Sequence, residues 1–221
     1  MPDSVHRFHN VPEEAQWRRL FAAWRGHLRT VWDHDNDDVP WGYSERTNVG
    51  LLASAHDKDG GVSMVELPFK RRAGQEDEGA GRFDVWLARK PWQVYAEAKQ
   101  AWAPACNDER IEHAVAQMDT AKVQAHDLKP LAAGATVATL VFVVPYPSWT
   151  STTTRESVLA DFRDFESRLW ERHDKRSRTF QTSFALPASE IREIDSSERH
   201  VRPRAFPGVI LCGRIHKAGA S

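Results

Sequence analysis

The chain has 221 residues, 41% hydrophobic and 28% charged, enough apolar content to close the core of one α/β domain. Its 30 basic and 31 acidic residues leave a net charge of −1, which excludes a wholesale electrostatic grip on nucleic acid or an anionic membrane and leaves only local basic patches. The two cysteines, Cys106 and Cys212, exclude a disulfide scaffold and a Cys-rich zinc module and suit a reducing cytoplasm.

Residues MPDSVHRFHN carry no apolar stretch of a secretory signal, and His6 and His9 there read as part of a free tail rather than a metal site. From Glu13 to about Trp32, Trp17, Leu20, Phe21, Trp24, Leu28 and Trp32 recur at helical spacing, a stripe that predicts packing on the body of the domain. Asp33, Asp35 and Asp37 follow with the first three spacings of a calcium loop. Asp38 then stands where the loop needs glycine, Pro40 falls inside it, and Ser44 replaces the closing glutamate, so a solvated turn is the better reading.

A second helix is expected over Tyr43–His56 with Ser44 as its cap, then a turn at Gly60-Gly61 and a strand over Val62–Lys70. The polar stretch Gln75–Gly81 reads as a loop. Two strands, Arg82–Ala88 and Gln93–Lys99, are joined by Arg89-Lys90-Pro91-Trp92. Asn107–Leu128 reads as a helix, and the continuous apolar run Val137–Tyr146 as a central buried strand. Its apolar part, Val137–Val144, is far short of the roughly 18 residues of a membrane span. Glu156–Trp170 is a helix, and Thr179–Leu186 and Gly208–Ile215 are closing strands. The fold class is therefore α/β, a central mixed sheet flanked by helices. Residues 1–41 form an N-terminal helical extension packed on the core, and residues 42–221 form the main domain.

Chemistry concentrates in GRFDVWLARKPWQVYAEAKQ. Glu97 and Lys99 leave the same face of one strand, together with Gln93 and Tyr95. An antiparallel hairpin closed by the four-residue loop pairs Ala88 with Gln93 and sets Asp84 directly opposite Glu97. Opposed side chains there have Cβ atoms about 4.5–5.5 Å apart, and two carboxylates at that separation repel unless a cation lies between them. Lys99 neutralises part of the charge, and a divalent cation such as Mg2+ would neutralise the rest. Such a cation polarises a phosphodiester and acidifies bound water, while Lys99 is placed to stabilise developing charge. Glu45, on the helix face of Val49 and Leu52, adds a third carboxylate directed at an apolar surface, where it needs a partner. Gln117, beside Ala114 and Met118, is a candidate for the rim. The competing reading is a solvated salt-bridge ladder on an open sheet face.

The order of a Glu-bearing helix, a strand, the Asp84 strand, the Glu97-Ala98-Lys99 strand, a helix and a strand resembles the αβββαβ core of the PD-(D/E)XK, or restriction-endonuclease-like, nuclease superfamily. The resemblance spans about Glu45 to Tyr146, and Phe83 stands where many members have proline. It implies that Asp84 and Glu97 bind Mg2+, with Mn2+ as a substitute, that Lys99 assists catalysis, and that Glu45 completes the acidic site. The implied activity is phosphodiester hydrolysis, in DNA by resemblance with RNA not excluded, in restriction, repair or defence against foreign DNA. A homodimer or a larger protein complex would then supply target choice. The alternative is a non-catalytic nucleic-acid- or protein-binding module that retains a nuclease-like fold. No phosphate-binding glycine loop, dinucleotide fingerprint, nucleophile elbow or H-E-x-x-H arrangement is present.

Charge is uneven. Residues 1–149 carry 17 basic and 21 acidic groups, and residues 150–221 carry 13 and 10. Arg172, Lys175, Arg176 and Arg178 are candidates for phosphate contact, with Arg199, Arg202 and Arg204 a weaker second set.

Overall fold

A computed structural model describes residues 6–35, 38–70, 80–126, 134–173, 178–194 and 203–216. The chain runs through β1 (Arg7–His9), α1 (Glu14–His34), α2 (Glu45–Lys58), β2 (Val62–Lys70), β3 (Ala80–Arg89) and β4 (Trp92–Ala103). It continues through α3 (Asp108–His126), β5 (Thr136–Pro145), α4 (Arg155–Arg172), β6 (Arg178–Ala185), β7 (Glu193–Ile194), β8 (Arg204–Ala205) and β9 (Gly208–His216). Seven strands form one mixed sheet in the order β1-β6-β9-β5-β4-β3-β2, with β4 and β5 parallel and the other neighbours antiparallel. The protein is thus α/β, a large mixed sheet flanked by four helices. No described helix is long and apolar enough to cross a membrane.

Period-3.6 and period-2 patterns in the sequence decide which side chains face each other. The α1 stripe Trp17, Leu20, Phe21, Trp24, Leu28 and Trp32 is buried throughout. It packs with Val49 and Leu52 of α2 and with Val94, Ala96 and Ala98 of β4 on one sheet face. Trp17 stacks on Phe180 at 4.7 Å and meets Trp92 edge-on at 5.5 Å, so these indoles are core rather than ligand platform. On the other face, Ile111, Ala114 and Met118 of α3 and Phe162, Phe165 and Leu169 of α4 cover Ala101, Val141, Val143 and Cys212. β5 sits mid-sheet and is buried from Val137 to Pro145, as its unbroken apolar run requires.

Several boundaries differ from the sequence-based expectation. From His6 onward the segment expected to be a free tail is docked: β1 pairs with β6, the ring Nδ1 of His6 lies 2.8 Å from the Thr182 hydroxyl, and Phe8 stacks on Phe21. The edge of β6 supplies open backbone groups, and Phe8 supplies an apolar anchor. The chain between the two mid-domain strands is not a four-residue loop. Arg89 pairs with Trp92, leaving the two-residue turn Lys90-Pro91, while the register Ala88↔Gln93 is the expected one. β3 begins at Ala80, inside the stretch expected to be loop, and the small ladder β7–β8 carries no pattern the sequence reveals. The rest of the expected loop, residues 75–79, and Asp37 of the acidic run lie outside the described residues.

Candidate active site

The site forms where two strands part. The β3–β4 ladder runs from Arg89↔Trp92 to Val85↔Ala96 and ends there, whereas β4 continues to Ala103 along β5. β3 meanwhile stays on β2, to Lys70↔Ala80. Side-chain alternation breaks at the same place: Val85 and Leu87 face the α1–α2 core, while Phe83 packs edge-on to Tyr95 on the other face, at 5.1 Å. Asp84 therefore does not sit as a plain cross-strand partner of Glu97. Its Oδ2 accepts a 2.6 Å hydrogen bond from the backbone N–H of Ala98, one residue beyond Glu97. A carboxylate on a backbone donor has replaced a rung of the ladder.

Three elements, α2, β3 and β4, bring their side chains to this fork. Glu97 is 6% exposed, and its carboxylate lies 3.4 Å from Lys99 Nζ, which also donates to the Ala98 carbonyl at 2.7 Å. Glu45 comes from the first turn of α2, whose Ser44 cap accepts a 3.1 Å bond from the Thr47 N–H. The start of a helix favours a carboxylate through the backbone dipole, and the backbone of Gln100 donates to it as well. Asn48, one turn along α2, ties the helix to β4 by donating 3.1 Å to the side-chain oxygen of Gln100.

The electrostatics follow from burying three acids beside one amine. Burial first, and then the Asp84 charge, push the Glu97 carboxyl up to about 7 against the opposing pull of Lys99. Burial likewise raises Asp84, against the Ala98 N–H and Lys99. Glu45 is raised first by burial and then by Asp84, again opposed by Lys99. The structure thus brings Asp84, Glu97, Lys99 and Glu45 into one electrostatic unit. Among the described residues, no three His, Cys, Asp or Glu side chains stand together closely enough to hold a metal ion as placed. The donor chemistry nonetheless fits a hard dication. These are oxygen ligands whose crowding raises their proton affinity, and a cation that displaces the proton relieves that crowding.

One participant was missed. Glu66 of β2 lies opposite Asp84, between the pairs Val65↔Val85 and Leu67↔Phe83, and its charge raises both Asp84 and Glu45. It takes φ of +53°, a left-handed conformation that costs a non-glycine residue about 1–3 kcal/mol. Its carboxylate receives Arg46 Nε at 2.6 Å and Arg82 Nη1 at 3.1 Å. Glu45, Arg46, Val65, Glu66 and Asp84 line a cavity of about 390 Å3 at the mouth of the fork. The β2–β3 register would have revealed Glu66, but a long connection leaves that register open in the sequence.

The other described candidates sit on other elements. Gln117 is half-buried on α3, the helix packed over β4 and β5. Arg172 ends α4 and sits 3.5 Å from Glu112. Arg178, two residues before Phe180 on the same strand, shares its face, which is the one toward the α1–α2 core, so it leaves the sheet on the side opposite Glu97 and Lys99. Arg204 lies over the Tyr146 ring at 5.3 Å and donates to Ser148. Lys175, Arg176, Arg199 and Arg202 lie outside the described residues. Comparison of the chain with protein families, with curated proteins and with solved structures yields no match.

Proposed function

We propose that this protein is a Mg2+-dependent nuclease that hydrolyses phosphodiester bonds, with DNA as the favoured substrate and Mn2+ as a substitute metal. One observation carries the reading: Asp84, Glu97, Lys99 and Glu45, drawn from β3, β4 and α2, meet at the fork between β3 and β4, with Glu97 held at about 7. The element order α2-β2-β3-β4-α3-β5 is the one expected of the restriction-endonuclease-like αβββαβ core, which supports the same reading.

In this reading Asp84 and Glu97 hold the metal, and Glu45 completes the acidic set. The bound ion would polarise the phosphodiester and acidify a water. The chain's own residues do the rest. Asp84 is oriented by the Ala98 N–H, which fixes one of its oxygens. Lys99, anchored on the Ala98 carbonyl, presents N–H donors to the attacking oxygen or to charge growing on the phosphate. With its carboxyl at about 7, Glu97 is only partly ionised near neutrality in the free site, and it must give up its proton fully when a cation binds.

A second reading has its own support. Glu97 is paired with Lys99 and Asp84 with a backbone amide, so the cluster is internally partnered, as in a binding module that keeps the fold without catalysis. Labelled single- and double-stranded DNA and RNA, incubated with Mn2+ or with EDTA, decide between them. Metal-dependent cleavage that vanishes in Asp84→Ala supports the nuclease. Absence of cleavage on every substrate, with no calorimetric Mg2+ site, leaves the binding module.

A further inference from the structure

Arg46 and Arg82 approach one carboxylate from different elements, α2 and β3, at the mouth of the cavity that leads to Asp84. Their side chains are 78% and 66% exposed, and Glu66 is 32% exposed, so this is a solvated network rather than a core staple. Exposed ion pairs of this kind contribute little to stability and are surrendered readily to a better partner. Two guanidinium groups sharing one carboxylate leave a surplus positive charge. It sits beside a cavity whose other charged lining groups, Glu45 and Asp84, are acidic.

Acids that gather a cation repel the backbone of a nucleic acid, so a phosphodiester reaching the fork needs donors beside them. Arginine supplies those donors in a planar fork that matches two phosphate oxygens, as it matches the two oxygens of a carboxylate. Glu66 Oε1 takes one guanidinium and Oε2 the other, the pattern a bridging phosphate would meet. Glu66 also stands in a left-handed backbone conformation within β2, directly across from Asp84.

The geometry points to Arg46 and Arg82 as the phosphate clamp of this site, with Glu66 holding the two guanidinium groups in place until the phosphodiester backbone of a nucleic acid displaces it. This inference rests on the nuclease reading for its setting, though the clamp is a binding property and is measured without catalysis. It assigns phosphate contact to residues beside the acids rather than to the C-terminal basic cluster.

The test is fluorescence polarisation with a fluorescein-labelled DNA oligonucleotide of about 20 nucleotides, single-stranded and as duplex, in EDTA and over a KCl series. The double variant R46Q/R82Q should bind at least about tenfold more weakly. Its salt slope should fall by about 1.4 on the single strand or about 1.8 on the duplex, the values for two lost phosphate contacts. Glu66→Gln, which frees both arginines, should bind about threefold or more tightly. Arg18→Gln, on the exposed face of α1, serves as the control for a generic loss of charge. Equal affinity and slope in a folded R46Q/R82Q protein overturn the clamp, and a Glu66→Gln protein that binds no tighter overturns the holding role. Should the double variant fail to fold, Arg46→Gln alone, which leaves Arg82 on Glu66, must show half the slope change. Metal-dependent cleavage by the parent with unchanged binding in R46Q/R82Q defeats the clamp and leaves the nuclease. Binding that depends on the two arginines without any cleavage defeats the nuclease and leaves the clamp. A parent that binds neither oligonucleotide defeats the clamp, while cleavage with Mn2+ decides the nuclease separately.

Discussion

Asp84 reaches across the end of a β-ladder to accept a 2.6 Å hydrogen bond from the N–H of Ala98, the residue between Glu97 and Lys99. That bond closes the seam at the point where β3 leaves β4, and it fixes the spacing of the acid pair. The site is therefore a defect in the sheet: a regular continuation of the ladder would have left two opposed carboxylates with nothing to separate them.

If Asp84 and Glu97 hold the metal, alanine at either removes both the Mg2+ titration and at least about a hundredfold of cleavage. Lys99→Ala should lose cleavage to the same extent while Mg2+ affinity, measured by calorimetry, stays close to that of the parent. Full activity in all three variants, in protein free of contaminating nuclease, rejects the assignment.

Glu97 makes the stability of the metal-free protein depend on pH in a defined direction. Its carboxyl stands at about 7 in the folded protein and near 4.5 when unfolded, so the folded state binds the extra proton between those values. Stability from this group is complete below about pH 4.5 and is lost as pH rises through about 7, a difference on the order of 3 kcal/mol. Urea denaturation in EDTA at pH 5.5 and at pH 8 should show the parent weaker at the higher pH. Glu97→Gln should remove most of that difference. A parent and variant with the same pH profile would mean that Glu97 is not held protonated.

Asparagine at position 84 keeps an oxygen for the Ala98 N–H and removes a charge from the acid group. Asp84→Asn should raise the metal-free melting temperature by a few degrees, about 1 kcal/mol, and draw the Glu97 carboxyl back toward the ordinary range. Millimolar Mg2+ should stabilise the parent by mass action but not the variant. A lower melting temperature in Asp84→Asn identifies the cluster as a satisfied structural network.

Gly213 of β9 admits no side chain. A Cβ there would come within 2.2 Å of the Thr139 carbonyl and 2.5 Å of the Phe180 ring, neither of which can retreat from the centre of the sheet. Gly213→Ala should destabilise the protein by about 1–3 kcal/mol or more, read by chemical denaturation. A neutral result would show that the Thr139 carbonyl and the Phe180 ring can both give way at this point.

Much of this architecture is written locally. The helical stripes of α1, α3 and α4 and the unbroken apolar run of β5 specify both the element and the face it buries, because periodicity is a property of neighbouring residues. The β3–β4 register was legible for the same reason: the turn at Lys90-Pro91 is short, and a short turn leaves one way to pair the strands that keeps Val85, Leu87, Val94 and Ala96 on one face. It placed Asp84, Glu97 and Lys99 together from the sequence alone. The docking of β1 on β6, the opposite facing of Arg178 and Glu97, and the position of Glu66 across from Asp84 depend on strands that meet far apart in the chain. Nothing local sets those registers. The parting of β3 from β4 also belongs to the tertiary structure, since it arises where β3 stays with β2 while β4 stays with β5. Composition and spacing supplied the acids and the lysine. The competition between two neighbouring strands for one backbone opened the space in which they meet.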